Sequence, residues 1–392
     1  MLRIPFLLLL AATVLAQPKS GLDPVRLARI PERMKSFVDK GTVAGVVTLV
    51  QRHGQTPAVD AVGYQDIESK KPMRGDTIFQ VMSMTKPVTA AGIMILAEEG
   101  RLSLGDPVEK HLPEFRGLWV IDKRDGEKAL TLKKPSRLIT IRDLMTHTSG
   151  MATLPPEGMG GVNFYYNMTK TLAEAASIYS QMPLDFDPGS QWQYSNPGIA
   201  VLGRIIEVAG DQPYEKFLEE RIFKALGMKD SFLFPPPDKV ARIAAVYQDE
   251  KGKLKSMGDA IYRKGAKYSM PEGGLYATAA DMAAFYQMML NGGALAGRRV
   301  LSKASVEVMT AIHTADVQKG GSAWGLGWTV VQNSAGTLPL VSQGTYGHGG
   351  AFGTYGWIDP KKQMVGVLML QGALSGDVRN AFVAMASAAV AD

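Results

Sequence analysis

The sequence predicts an α+β fold in which one antiparallel sheet is assembled from both ends of the chain. N- and C-terminal helices flank the sheet, and a large helical lobe is inserted between its two halves. Three observations lead there: an amphipathic helix and a Val-rich hairpin near the start, helical patterns through the middle, and strand signals with one last helix at the end. The expected division is a signal peptide over 1–16, an α/β lobe from 17–82 plus 261–392, and a mainly helical lobe over 83–260.

The first helix is expected in "LDPVRLARIPERMKSFVDKG", where Asp23 is suited to the N-cap and Pro24 to the first helical position. Leu27, Ile30, Met34, Phe37 and Val38 recur at helical spacing, and Gly41 ends the pattern. "TVAGVVTLVQ" and "TPAVDAVGY" read as strands turned at Arg52-His53-Gly54. From 83 to 260, helical patterns such as "TIRDLMTH", "LAEAASIYSQM", "GIAVLGRIIEVAG" and "YEKFLEERIFKALG" alternate with Pro/Gly loops, and "FPPPDK" is a stiff connection. "AWGLGWTVV", "GTYGWIDP" and "QMVGVLMLQ" then read as strands, and "DVRNAFVAMASAAVA" as the closing helix.

At 392 residues, with 46% hydrophobic and 20% charged residues, the chain has the composition of an ordinary globular protein. Its net charge of +6 is dispersed along the chain, which argues against nucleic acid as a partner. The most basic stretch, "KSMGDAIYRKGAKY", reads as solvated loop. There is no cysteine, so neither a thiol nucleophile nor a disulfide contributes. The five histidines have no tight ligand spacing, so neither a metal nor another cofactor is expected.

The opening residues "MLRIPFLLLLAATVLAQPKS" have the form of a secretory signal, with Arg3 in the basic region, an apolar run from Phe6 to Leu15, and cleavage after Val14-Leu15-Ala16. The competing reading, a retained anchor, meets an apolar run shorter than a bilayer requires. The expectation is therefore an exported protein, periplasmic or secreted, with no stable membrane association once the signal is removed.

Three polar clusters stand out against the apolar background. In "FQVMSMTKPVTAAGIMILAEEG", Ser83 and Lys86 are three residues apart at the head of a helix that is apolar nearly all round, so Lys86 can reach the Ser83 hydroxyl. Burial and the positive helix end both lower the proton affinity of such an amine, and the free N–H groups there suit a developing oxyanion. By pattern alone, the tetrad serves equally as a capping Ser with a snorkelling Lys. In "WQYSNPGIAVLGRII", Tyr194 and Asn196 fall on a loop before Pro197. They read either as a proton-relaying phenol and a carbonyl-binding amide, or as a loop aromatic and an N-cap. In "TYGHGGAFGTYGWIDP", His348, Gly349 and Gly350 lead along a glycine-rich strand edge that either admits a ligand or forms a bulge.

Taken together, SMTK, YSN and HGG, in this order and at these separations, resemble the three motifs of the serine β-lactamase and penicillin-binding protein superfamily. The segments "DTIFQVMSMTKPVTA", "ITIRDLMTHTSGM", "PEGGLYATAADMAAFYQMMLNGG" and "GHGGAFGTYGWIDP" resemble its class C-like branch, and the likeness runs from about residue 24 to the end. The resemblance implies the β-lactamase/transpeptidase-like fold and acyl-enzyme chemistry without metal or cofactor. It makes Ser83 the nucleophile and Lys86 with Tyr194 the base system. Asn196, His348, Gly349 and Gly350 would bind substrate, and the backbone N–H groups of Ser83 and Ala351 would form the oxyanion hole.

One departure bears on substrate. Class C β-lactamases carry Lys-Thr-Gly where this chain has His-Gly-Gly, and an imidazole is the weaker anchor for a substrate carboxylate. Family VIII carboxylesterases carry Trp-Gly-Gly there, while D-amino-acid peptidases of the superfamily show His. The expectation is a carboxylesterase on small acyl esters with weak β-lactam turnover. A β-lactamase, a D-stereospecific peptidase or amidase, or a non-catalytic cell-wall-binding protein are the alternatives. The loop "MATLPPEGMGGVNFYYNM" carries Phe164, Tyr165 and Tyr166 and reads either as an aromatic wall or as ordinary surface, and His147 in "THTSG" reads as structural. Oligomeric state is not legible.

Overall fold

A computed structural model of the chain describes residues 20–125, 129–153, 168–257, 265–333, 338, 340–372 and 376–392. The segment expected to be a signal peptide and the aromatic loop with Phe164, Tyr165 and Tyr166 lie outside these residues.

Helix α1 spans Pro24–Asp39, and the Asp23 carboxylate caps it by accepting from the amides of Val25 and Arg26. Strands β1 (Gly45–Arg52), β2 (Gln55–Asp66) and β3 (Lys71–Pro72) follow. A 3₁₀ turn over Met82–Thr85 runs into helix α2, Lys86–Glu98. The central helices are α3 (Ile141–Thr146), α4 (Leu172–Tyr179) and α5 (Asn196–Gly210), and α6 spans Ala279–Leu290. The C-terminal part supplies β4 (Ser322–Trp324), β5 (Thr329–Val331), β6 (Tyr346–Gly349), β7 (Tyr355–Asp359), β8 (Met364–Leu370) and α7, Gly376–Ala388.

These strands form one eight-stranded sheet in the order β4-β5-β6-β7-β8-β1-β2-β3, antiparallel throughout. The two chain ends meet where β8 pairs with β1, Val46 opposite Leu370 and Arg52 opposite Met364. Strand β1 reads as a nearly unbroken Val run because both its faces are buried. Val46 and Val50 pack with α1 and α7, including Ile30, Phe37 and Phe382, while Val47 and Leu49 face the core shared with the central helices. Trp357 of β7 sits edge-on to Phe382, with ring centroids 5.2 Å apart.

Two short hairpins, Val120–Asp125 with Ala129–Lys133 and Tyr247–Glu250 with Lys253–Ser256, interrupt the middle region that sequence patterning reads as mainly helical. The second is largely exposed, so its strands carry no apolar alternation to betray them. The start of α5 also differs in detail from the sequence expectation. Ser195, not Asn196, is the N-cap, its hydroxyl accepting from the Gly198 amide at 3.1 Å, and Asn196 is the first helical residue.

Candidate active site

Ser83 does not sit on an α-helix but in the 3₁₀ turn that precedes one, immediately after Met82, whose φ of 51° is left-handed. In a 3₁₀ turn, residues three apart eclipse one another, so Ser83 and Lys86 are aligned more closely than α-helical spacing would bring them. The Lys86 Nζ lies 2.9 Å from Ser83 Oγ. Its second contact is the Glu272 carbonyl at 2.6 Å, and its head is 4.8 Å from the centroid of the Tyr194 ring.

Lys86 is fully buried. Burial lowers its proton affinity, the Glu272 charge partly opposes this, and the outcome is a pKa of about 7. Near neutral pH the amine therefore exists in substantial part as a proton acceptor, hydrogen-bonded to a serine hydroxyl. The Tyr194 hydroxyl also hydrogen-bonds Ser83, but burial raises its pKa well above that of a free phenol, so it is protonated in the resting site.

Three side chains of the turn and α2 hold the segment from Pro271 to Leu275 against Ser83. Thr85 Oγ1 accepts from the Leu275 amide at 3.1 Å, Lys86 donates to the Glu272 carbonyl, and Thr89 Oγ1 donates to the Pro271 carbonyl at 2.7 Å. Behind α2, Gly327 adopts φ +78°, and a Cβ there would come within 2.6 Å of Ala90, so glycine lets this loop close on the helix.

The Tyr194 segment is positioned from α3. His147 ends that helix in the left-handed region (φ 61°) and is wholly buried. Its Nδ1 accepts the Ser195 amide at 3.1 Å, its carbonyl accepts the Gln193 amide at 2.9 Å, and its ring lies 4.5 Å from that of Tyr194. Trp324 meets the His147 ring edge-on at 4.6 Å and the His348 ring at 5.4 Å, closing an aromatic cluster between the two motifs. Asn196 is half-buried at the head of α5, two residues past Tyr194.

His348 is on β6 opposite Gly356 of β7. Its Nδ1 lies 2.7 Å from the Gly349 carbonyl, which can only accept, so Nδ1 carries the hydrogen and Nε2 presents a lone pair. Burial, reinforced by the Lys86 charge, lowers the His348 pKa to about 3. The imidazole is neutral at physiological pH. Gly349 is half-buried, Gly350 is buried, and Ala351 is exposed in the turn that follows. That turn is fastened to the Ser83 segment, because Thr354 Oγ1 donates to the Val81 carbonyl at 2.9 Å and the Gly350 amide donates to the Thr354 carbonyl at 2.7 Å. A Cβ on Gly350 would stand 2.4 Å from the Val81 carbonyl oxygen and 3.1 Å from Met82 Cβ, so only glycine permits this approach.

The structure thus brings Ser83, Lys86, Tyr194 and His348 to one place. The residue that sequence reading passed over is Glu272, 2% exposed beside Lys86. Its only signal was a lone acid between Pro271 and two glycines, a context that reads as loop. His147 was read as structural, and its contacts are of that kind.

An antiparallel sheet of this order, with a serine hydroxyl hydrogen-bonded to a buried lysine and a tyrosine held beside them, defines the class of serine hydrolases that share the penicillin-recognising fold. The family model described as Beta-lactamase matches residues 30–390, and the chain belongs to that family. Protein Rv1367c of Mycobacterium tuberculosis is 33% identical over 359 residues, covering 86% of this chain and 88% of that protein. Esterase EstB of Burkholderia gladioli is 33% identical over 270 residues, 65% of this chain and 64% of EstB. Among solved structures, EstCE1, described as a hydrolase with promiscuous acyltransferase activity, superposes with a TM-score of 0.78 at 23% identity, over 94% of this chain and 99% of its own, a likeness of fold.

Proposed function

We propose that the protein is an exported serine carboxylesterase acting on small acyl esters through an acyl-enzyme. The observation that carries this reading is the neutral, buried His348 at the position where the family's β-lactamases place a carboxylate-binding lysine. A strand edge without that fixed charge favours uncharged acyl groups over substrates recognised by a carboxylate. The curated esterase relative supports the same choice.

In this reading, Ser83 Oγ attacks the ester carbonyl carbon while its proton passes to the Lys86 amine, directly or by way of the Tyr194 hydroxyl. The backbone N–H groups of Ser83 and Ala351 stabilise the oxyanion, Asn196 contacts the substrate carbonyl, and His348, Gly349 and Gly350 line the acyl site. Collapse of the tetrahedral intermediate breaks the C–O bond and protonates the departing alkoxide from the same base system. Water then attacks the acyl-enzyme by the reverse sequence and releases the acid.

The purified protein should be assayed on p-nitrophenyl butyrate, a chromogenic cephalosporin and D-alanyl p-nitroanilide beside Ser83→Ala. Ester turnover lost in the variant is the expected result, and dominant cephalosporin turnover overturns it. If all three are inert while a fluorescent penicillin labels Ser83, the chain is a binding protein. Export is tested by the mass of the protein recovered from the periplasm or medium, which should lack residues 1–16. No helix among the described residues is long and apolar enough to cross a membrane.

A further inference from the structure

Glu272 has no part in the steps above except through its backbone carbonyl, yet it puts a carboxyl group in the floor of the site. The group is 2% exposed, and the Tyr268 hydroxyl donates to its Oε1 at 2.9 Å. Tyr268 is itself wholly buried and hydrogen-bonded to Tyr179 of α4, so the phenol that holds the acid is held in turn by a second. Its backbone cannot drift, because Thr85, Lys86 and Thr89 pin Leu275, Glu272 and Pro271 in turn.

Taking an ion out of water costs several kcal/mol unless an opposite charge and hydrogen bonds replace the solvent. The groups packed around Lys86 are informative in this respect. The phenols of Tyr194, Tyr214, Tyr179 and Tyr268 are all raised by burial, and the imidazoles of His147 and His348 are lowered by it. All six are neutral at neutral pH. Among the described residues, Glu272 is the acid whose charge reaches the Lys86 ammonium.

Resting on the acyl-enzyme reading, we propose that Glu272 is a positioning residue that acts through Lys86. Its carbonyl fixes the amine against Ser83, and its carboxylate, anchored by Tyr268, sets the pH at which that amine becomes the base. Burial alone would lower the Lys86 proton affinity further and leave a weaker base for the serine proton. The opposite charge of Glu272 restores part of that basicity.

Glu272→Gln keeps the backbone carbonyl, nearly the side-chain volume and one acceptor oxygen for Tyr268, and removes the charge. Loss of a negative charge destabilises the ammonium, so the Lys86 titration midpoint moves to lower pH, by about one unit for a nearby opposite charge. The direct reading is NMR titration of ¹³Cε-labelled lysine, with the Lys86 signal assigned by its loss in Lys86→Arg, which does not depend on turnover. The second reading is the pH dependence of Ser83 labelling by a fluorophosphonate, whose acid limb should shift by the same amount. Tyr268→Phe should move both in the same direction by less, and it decides the matter if the Gln variant fails to fold. An unmoved or raised midpoint overturns the proposal. If the midpoint moves but no ester is hydrolysed, the role of Glu272 stands and the esterase reading falls. If esters are hydrolysed and the midpoint stays, the reverse holds.

Discussion

His147 Nδ1 accepts the Ser195 amide at 3.1 Å, and this bond ties the end of α3 to the loop that carries Tyr194. Because the Tyr194 ring also rests on the imidazole, the orientation of the phenol is set from a helix 48 residues earlier in the chain. His147→Ala removes both supports and leaves a cavity. Misplacing a proton-relaying group by about 1 Å costs on the order of 100-fold in rate. The expected outcome is a loss of that order in kcat with a smaller change in KM, measured on the best ester. Unfolding should be easier by about 2–4 kcal/mol in denaturant titrations. Unchanged kcat in a destabilised variant would confine His147 to the core.

Acid should weaken the fold through the two buried histidines. Both His147 and His348 are held below the ordinary imidazole pKa, chiefly by burial, with the Lys86 charge adding to it. The unfolded chain therefore binds more protons below pH 6.5 than the native one. Their contribution is fully present above the unfolded value and is lost as pH falls toward about 3, the folded value for His348. The slope is about 1.4 kcal/mol per pH unit for each histidine. Thermal melts from pH 7 to 4 should show a fall in Tm that His348→Asn reduces.

Gly350→Ala tests the contact between strand β6 and the Ser83 turn. The added methyl meets the Val81 carbonyl oxygen at 2.4 Å, and neither backbone can yield without shifting. Overpacking of this kind costs about 1–3 kcal/mol. A roughly 10- to 100-fold loss of Ser83 acylation by a fluorophosphonate is also expected, because the shift falls on the nucleophile's own turn. Rates equal to those of the native protein would show that the turn tolerates the displacement.

His348→Lys restores a cation where the native imidazole is neutral. Competition between p-nitrophenyl butyrate and a chromogenic cephalosporin should then shift toward the carboxylate-bearing substrate by about tenfold, the value of one charge-assisted hydrogen bond. Part of that gain is lost if burial neutralises the new amine, so the preference should strengthen as pH is lowered from 8 to 6. A ratio independent of the substitution would mean that residue 348 does not face the substrate's acid group.

Much of this molecule could be read along the chain. Asp23 and Pro24 mark the start of α1, the Val run of β1 announces a strand buried on both faces, and the order of elements implies a sheet built from two ends. These signals are local, since they depend on periods of two or 3.6 residues and on caps within a few positions. Ser83 and Lys86 were adjacent enough to be suspected together for the same reason. The hairpin of Tyr247–Glu250 with Lys253–Ser256 was silent because nothing apolar alternates in it. What only the tertiary structure decided is charge. Whether Lys86 is a base, whether His348 carries a proton, and whether Glu272 matters at all depend on burial and on partners up to 186 residues away, as Lys86 and Glu272 are. Proton affinity is a property of the surroundings of an ionisable group, and those surroundings exist only once the chain has closed around it.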